Sequence, residues 1–210
     1  MKVIAINGSP HAQGNTFAAL NVVCEQLALE NIEYEIIHVG NKTVKGCIAC
    51  RQCAKNKKEA CVLQGDELND WSQKIKAADG LLLGSPVYFS AIAGTMKCFL
   101  DRAFYVASSN GGLFRHKVGA SVVADRRAGG VTTYNQLNNY INYAEMFMPS
   151  SNYWNVSYGT SPGEVLKDEE GVQIMRILGK NMAWLLKTKK DSHIALPEKE
   201  AKTLFNFIRE

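Results

Sequence analysis

The sequence lacks a long hydrophobic run, a concentration of charge of one sign, and any repeated or low-complexity segment. No stretch is apolar over the roughly 20 residues that a membrane helix needs, so we expect neither a membrane span nor a membrane partner. Only four apolar residues separate Lys2 from Asn7 and no cleavage site follows, which predicts a strand rather than a secretory leader, and hence a cytoplasmic protein. The net charge of +4 is spread along the chain, which argues against a nucleic-acid partner.

The composition is that of one soluble domain in which strands and helices alternate. The chain has 210 residues, of which 46% are hydrophobic and 21% charged, enough for one α/β core. Apolar patterning predicts strands at residues 1–6, 33–39, 80–84, 117–124 and 152–156, and helices at residues 16–30, 66–78, 91–104, 131–147 and 164–187. This alternation indicates a doubly wound parallel sheet in three α/β/α layers over residues 1–190. Residues 191–210 are predicted as a helical tail that begins near Pro197, with an apolar stripe of Ala201, Leu204, Phe205 and Ile208.

The first turn, residues 1–16 (MKVIAINGSPHAQGNT), has the order strand, loop, helix. A helix N-terminus presents free backbone N–H groups, and Ser9, Asn15 and Thr16 add side-chain donors beside it. The loop does not match a P-loop, because Asn15 rather than lysine follows Gly14, nor does it match the dinucleotide motif G-x-G-x-x-G. These features predict a site for the phosphate of a bound cofactor, and an ordinary βα turn with a Thr or Asn cap is the alternative.

Two further loops follow the third and fourth predicted strands, at the sheet edge where ligands bind. Residues 85–90 (SPVYFS) supply a flat apolar wall with backbone donors, and residues 125–130 (DRRAGG) carry two glycines that allow the main chain to approach closely. A phosphate loop, an aromatic loop and a glycine loop at one edge suit a planar cofactor with a phosphorylated tail, such as FMN. Taken separately, Tyr88 and Phe89 suit the hydrophobic core equally well.

Three segments, GSPHAQGNT, SPVYF and TMKCFLDR, occur in this order together with the cysteine segment GCIACRQC. The combination resembles the flavodoxin-like family of NADPH-dependent FMN reductases and its iron–sulfur flavoprotein branch, over about residues 1–160. The resemblance implies a flavodoxin-like sheet of five parallel strands in the order 2-1-3-4-5, non-covalent FMN, and a homodimer or homotetramer. By that likeness the FMN contacts are Ser9, His11, Gly14, Asn15, Thr16, Pro86, Val87, Tyr88, Phe89, Asp125, Gly129 and Gly130.

The third loop departs from the usual pattern of this family, in which a glycine pair follows the strand closely. Here Arg126 and Arg127 precede the glycines, while Val131 and Thr132 follow them. The two arginines suit either the phosphate of a nicotinamide nucleotide or an exposed position in solvent.

Four of the six cysteines lie in one cysteine-rich loop, residues 44–64, with the spacing C-x2-C-x2-C-x7-C. They are Cys47, Cys50, Cys53 and Cys61. Thiolates at this spacing can converge on the irons of one cluster, and the run resembles the iron–sulfur flavoprotein motif, which implies a [4Fe–4S] cluster. Zinc and unliganded thiols are the alternatives, although structural zinc sites usually have two separate C-x2-C pairs. Cys24 and Cys98 lie on apolar helix faces and are predicted to be packing residues.

These features together predict an FMN-dependent oxidoreductase, either an NAD(P)H:flavin or quinone reductase or an iron–sulfur flavoprotein. It passes electrons through FMN to an unidentified small-molecule or protein acceptor, with NAD(P)H as the expected co-substrate. No catalytic side chain is expected, because hydride transfer to a flavin needs no protein acid or base. Two alternatives stay open: an electron carrier without substrate turnover of its own, and a non-redox scaffold with the same fold.

Overall fold

The computed structural model describes residues 1–203, Phe205 and Ile208. In these residues one sheet contains the strands β1 (Lys2–Asn7), β2 (Glu33–His38), β3 (Gly80–Tyr88), β4 (Ala91–Ile92), β5 (Val118–Asp125) and β6 (Val156–Tyr158). Five strands are parallel in the order β2-β1-β3-β5-β6, and β4 pairs with β3 in an antiparallel hairpin. When the hairpin strand is left out of the count, this order is 2-1-3-4-5, which confirms the predicted topology.

Helices cover both faces of this sheet. They are α1 (Asn15–Leu29), α2 (Gln52–Asn56), α3 (Leu68–Ala77), α4 (Gly94–Ser109), α5 (Gly130–Tyr143) and α6 (Glu169–Asp191), with a short 3-10 helix at Glu164–Lys167. Within the part of the chain that the structure describes, none of them is long and apolar enough to cross a membrane.

The pattern of β1 explains why both faces are covered. Successive side chains of a strand point to opposite faces of the sheet. Ile4 and Ile6 pack in the core formed with α3, α4 and α5, whereas Val3 and Ala5 pack in the core formed with α1 and α6. A central strand that is apolar on both sides needs a helix layer on each side, so the three layers follow from the sequence.

The hairpin changes the element boundaries at the ligand-binding edge. β3 continues past its predicted end at Gly84 as far as Tyr88, because Val87 and Tyr88 pair with Ile92 and Ala91 of β4. For the same reason α4 begins at Gly94, three residues later than predicted.

The C-terminal third also differs from the prediction at its last strand and its long helix. The strand predicted at residues 152–156 begins only at Val156. The helix predicted at residues 164–187 is interrupted at Asp168, whose carboxylate accepts a hydrogen bond from the Gly171 N–H group (2.9 Å) and caps α6. A side chain that caps a helix competes with continuation of the preceding turn, which is why one predicted helix becomes two.

The tail lies on the surface of the domain without regular structure where it is described. Residues 192–203 contain no helix, which corrects the predicted helix start at Pro197. Instead, the Arg115 guanidinium donates to the carbonyl groups of Pro197 (3.0 Å) and Glu198 (3.1 Å). Leu204, part of the predicted apolar stripe, lies outside the described residues.

Candidate functional site

The loop between β1 and α1, residues 8–16, is termed the phosphate loop here, and polar side chains of two strands hold it in place. The Asn7 side chain accepts from the Ser9 N–H group (3.0 Å) and donates to the Ala12 carbonyl (3.2 Å). From the end of β2, His38 Nε2 donates to the Ser9 carbonyl (2.7 Å), which assigns the ring proton to Nε2. These bonds fix the loop without the help of a ligand.

The N-terminus of α1 opens into the phosphate loop without a side-chain cap. Gly14 occupies the N-cap position, and it has no side chain to accept from the N–H groups of the first turn. Among the described residues, the buried hydroxyl of Thr16 has no hydrogen-bond partner. A buried polar group without a partner costs about 1 to 3 kcal/mol of stability, so a hydrogen bond between this hydroxyl and a bound ligand would remove that cost. The free N–H groups, the positive end of the helix dipole and this hydroxyl together fit a phosphate group.

A pocket of about 330 Å³ joins the phosphate loop to the β3–β4 hairpin, and we call it the strand-edge pocket. Its volume lies within the range of roughly 300 to 1,000 Å³ that is typical of ligand sites. Eight of the twelve predicted FMN contacts line it: Ser9, His11, Gly14, Asn15, Thr16, Pro86, Val87 and Tyr88. The structure therefore brings the phosphate loop and the apolar wall to one edge of the sheet.

Phe89 is not part of this lining. It lies in the two-residue loop of the hairpin, and its side chain is fully exposed. Phe89 and the following Ser90 both have positive φ angles, 50° and 58°. This turn ends the apolar wall at Tyr88, which is half exposed at the pocket.

The predicted contacts of the third loop support the wall instead of lining the pocket, and of residues 125–130 Arg126 alone is a lining residue. Asp125, Gly129 and Gly130 are absent from the lining residues. Gly129 has φ +98°, and a Cβ atom there would lie 2.9 Å from the Val87 side chain, so the backbone of this loop packs directly against the hairpin. Asp125 is buried and accepts from the Arg127 N–H group (3.1 Å), which stabilises the loop itself.

Five lining residues were not among the predicted contacts: Ala124, Arg126, Gly159, Thr160 and Pro162. Arg126 brings a positive charge to the pocket, whereas from sequence the nucleotide phosphate and an exposed position in solvent were both open for it. The other new segment follows β6, and its first residue, Gly159, donates to the Asp125 carbonyl (2.9 Å). Its glycine, serine and proline residues after the last strand are a turn signal that could have identified a fourth strand-end loop.

The cysteine-rich loop forms a second candidate site, beside Arg102, Tyr105 and Val106 of α4. Its four cysteines all line one cavity of about 20 Å³, with Cys47 and Cys50 exposed, Cys53 buried and Cys61 half buried. This volume suits about one water molecule. The donor set fits an iron–sulfur cluster in kind and number. In the described residues, however, no three His, Cys, Asp or Glu side chains are grouped so that they could hold a metal ion.

The two remaining cysteines differ in their surroundings. Cys24 is fully buried in the core formed with α1 and α6, and burial raises the pKa of its thiol to about 12, so it is an inert packing residue as predicted. Cys98 lies on α4 beside the start of the cysteine-rich loop, since its Sγ atom is 3.8 Å from the position of a Cβ atom on Gly46.

The doubly wound sheet with a pocket at the carboxyl ends of β1, β3 and β5 defines the class of protein, a flavodoxin-like α/β protein. Residues 1–161 match the family described as NADPH-dependent FMN reductase, and the chain belongs to this family. Membership supports an FMN-dependent oxidoreductase as the general function.

Individual proteins agree with this assignment. An iron–sulfur flavoprotein of Methanocaldococcus jannaschii is 34% identical over 197 residues, which cover 90% of this chain and 100% of that protein. A solved flavodoxin from the domain Archaea has a TM-score of 0.59 at 16% identity and covers 89% of this chain and 99% of its own. A structure of RosB with bound 8-demethyl-8-formylriboflavin-5′-phosphate has a TM-score of 0.68 at 13% identity, with coverage of 100% and 96%. At these identities the two solved structures establish the fold alone.

Proposed function

We propose that the chain binds FMN non-covalently in the strand-edge pocket and passes electrons from NAD(P)H to a small-molecule or protein acceptor. The observation that carries the proposal is the buried Thr16 hydroxyl, which has no partner in the described part of the chain and lies at the uncapped N-terminus of α1. One end of the pocket thus matches a phosphate group, while the other end is the apolar wall of Pro86, Val87 and Tyr88. The family assignment and the iron–sulfur flavoprotein relative support the same ligand.

Each group of pocket residues has a separate role in this proposal. Ser9, His11, Gly14, Asn15 and Thr16 hold the phosphate. The wall holds the ring and keeps water from that side of it, while Arg126 offsets negative charge in the pocket. FMN, when bound, supplies the hydride- and electron-accepting chemistry, so no side chain is required as an acid or base.

The sharpest test compares two buried hydroxyl groups that lack a partner in the described residues, those of Thr16 and Thr133. Thr133 lies on α5 and does not line the strand-edge pocket. Because a valine removes the unpaired hydroxyl and keeps the shape, neither Thr16→Val nor Thr133→Val should lower the stability of the FMN-free protein. Only Thr16→Val removes a hydrogen bond to a charged phosphate, so it should weaken FMN binding by about 10- to 100-fold, measured by quenching of FMN fluorescence.

The two variants also define the failure of the proposal. Equal FMN affinity in Thr16→Val and Thr133→Val would show that the phosphate does not bind at the N-terminus of α1. Absence of FMN binding by the wild-type protein would favour the scaffold alternative.

Turnover is a separate question from binding. The purified, FMN-loaded protein should oxidise NADPH or NADH under anaerobic conditions when an artificial acceptor is present, and the ratio of the two rates gives the nucleotide preference. The electron-carrier alternative is favoured by the four cysteines around one cavity, which suit a centre that exchanges single electrons. A carrier would bind FMN but oxidise neither nucleotide until a partner reductase is added.

For the cysteine site we propose a [4Fe–4S] cluster held by Cys47, Cys50, Cys53 and Cys61. The donor set, its spacing and the iron–sulfur flavoprotein relative support this. Anaerobic purification followed by a visible spectrum and metal analysis should give about four iron and four sulfide per chain. Zinc in place of iron would instead support a zinc site, and the absence of both metals would support unliganded thiols.

Assembly and location complete the proposal. We propose a homodimer or homotetramer, which light scattering of the purified protein would distinguish from a monomer. We also propose a cytoplasmic location, where thiols are kept reduced, and in agreement with it the structure contains six free cysteines.

A further inference from the structure

Arg102 is a buried cation that the strand-edge pocket does not use. It lies on α4, and only 1% of its side-chain surface is exposed. Charged side chains are almost never fully buried unless they are paired, so its position needs a specific explanation. Its side chain lines the cavity of the four cysteines.

All five N–H groups of this guanidinium donate hydrogen bonds to residues 45–66, the segment that contains the four cysteines. Nη1 donates to the Lys45 carbonyl (3.2 Å) and Nη2 to the Leu63 carbonyl (3.3 Å), which ties the beginning and the end of the loop to α4. Both nitrogens also donate to the Asp66 carboxylate. The remaining donor, Nε, bonds to Cys61 Sγ at 3.4 Å.

Asp66 carries the negative charge that offsets the cost of burying the Arg102 guanidinium. Its side chain is 3% exposed and binds the guanidinium through both carboxylate oxygens. Such a two-pronged pair fixes the plane of the guanidinium as well as its charge. The direction of Nε toward Cys61 is therefore set by Asp66, and the loop cannot move relative to α4 without breaking this network.

We propose that Arg102 is the positioning residue of the cysteine site, which fixes Cys61 Sγ in the cavity and stabilises negative charge on that sulfur. A donor that carries a positive charge bonds more strongly to an anionic acceptor than to a neutral one. Hydrogen bonds to sulfur are among the factors that set the reduction potential of an iron–sulfur centre. Arg102 should accordingly make a centre at this site easier to reduce. The statement about potential rests on the proposed cluster, whereas the positioning of Cys61 does not.

The first test is a double-mutant cycle in metal-free protein, with wild type, Arg102→Lys, Cys61→Ala and the double variant. Lysine keeps the charge beside Asp66 but loses the Nε donor. Urea unfolding should show that Arg102→Lys lowers the folding constant about 2- to 10-fold more in the wild-type background than in the Cys61→Ala background. A parallel cycle with Cys24→Ala, in the opposite core, should be additive. Additive effects of Arg102→Lys and Cys61→Ala would overturn the positioning role.

The second test measures the midpoint potential of the iron–sulfur centre in anaerobically purified protein. Arg102→Gln removes both the charge and the donor geometry, so its potential should shift to more negative values, and Arg102→Lys should restore part of the shift. Arg115→Gln is the matched control, since Arg115 binds Glu145 and the tail and does not line the cavity. An unchanged potential in fully iron-loaded Arg102→Gln would contradict the proposed effect on the sulfur. If wild-type protein contains no cluster, the double-mutant cycle alone tests whether Arg102 positions Cys61. The proposed cluster and the proposed positioning role therefore fail separately.

Discussion

The strand-edge pocket and the cysteine-rich loop are two candidate sites in one chain, and the chain holds them in different ways. The pocket is made of strand ends whose backbones are already bonded in the parallel sheet, with Asn7 and His38 fixing the phosphate loop. The cysteine-rich loop has only the five residues of α2 as regular structure, and the side chain of Arg102 joins it to the domain. One site is a product of the fold, whereas the other is held by side-chain contacts, among which the Arg102–Asp66 pair is buried and contacts from Asn69 and Asn110 lie at its edge.

Left-handed backbone conformations are concentrated in the cysteine-rich loop, with four non-glycine residues against Phe89 and Ser90 in the hairpin beside the pocket. In the cysteine-rich loop Ala49, Arg51, Lys57 and Glu59 have φ angles of 53°, 56°, 50° and 54°, in the left-handed region. Each such residue costs roughly 1 to 2 kcal/mol relative to ordinary conformations. Strain of this kind persists only where surrounding contacts impose the conformation. We therefore expect loss of the anchors to release this loop, while the pocket responds only to changes at its own edge.

The largest expected effect comes from breaking the ion pair. Asp66→Asn leaves the Arg102 charge buried without a counter-charge, which should cost about 3 to 5 kcal/mol of unfolding free energy. The matched control is Glu30→Gln, which removes the solvent-exposed pair with Lys187 and should change stability far less. Urea unfolding of both variants measures the difference, and similar losses would mean that the buried pair is not the anchor of the loop.

The same pair predicts a pH dependence. Burial alone would raise the pKa of Asp66, but the hydrogen bond and charge of Arg102 outweigh it, and the net effect lowers the pKa below its ordinary value of 3.8. A carboxylate with a lowered pKa stabilises the folded state above its unfolded pKa, and the contribution is lost as pH falls through the folded pKa. The stability difference between wild type and Asp66→Asn should thus be constant from neutral pH to about pH 5 and shrink below pH 3.8.

Other carboxylates with lowered pKa values occur in both proteins, so subtracting the two pH profiles isolates Asp66. Unfolding midpoints between about pH 3 and pH 7 are sufficient for the measurement. A difference that grows on acidification would have the wrong sign for this ion pair.

A change at the pocket edge should have a smaller effect on stability and a clearer effect on binding. A Cβ atom on Gly40 would lie 2.0 Å from the Ser9 carbonyl oxygen, so Gly40→Ala must displace the phosphate loop. We expect a loss of about 1 to 3 kcal/mol in stability together with weaker FMN binding. Gly94→Ala is the control, because no atom lies within 4 Å of a Cβ at this first residue of α4. Equal FMN affinities in the two variants would show that the phosphate loop does not contribute to FMN binding.

The parts that could be predicted from sequence are those in which the deciding residues are neighbours in the chain. The strand, loop and helix around residues 8–16 are contiguous, and the continuous apolar runs of β1 and β3 specify two helix layers. The parallel order then brings the ends of β1 and β3 together, which is why the phosphate loop and Pro86 to Tyr88 meet as predicted.

The parts that could not be predicted depend on contacts between distant residues. Arg102 pairs with Asp66, 36 positions away, while its chain neighbour Asp101 binds Lys97 instead. Gly129 was expected at the pocket because of its glycine type, yet its backbone packs against Val87. No pattern in the sequence distinguishes a glycine that approaches a ligand from one that approaches another loop.

The smallest expected effect concerns the hairpin tip, where the predicted ring contact Phe89 can be separated from the wall. Two residues with positive φ in a two-residue hairpin loop form the geometry for which Asn-Gly is preferred. The double variant Phe89→Asn, Ser90→Gly should therefore stabilise the FMN-free protein by about 1 kcal/mol. Because Phe89 does not line the pocket, FMN affinity should stay the same, whereas Tyr88→Ala, at a lining position, should reduce it. A loss of affinity in the double variant would indicate that Phe89 contacts the ring as first predicted. The hairpin would then have to close over the bound cofactor.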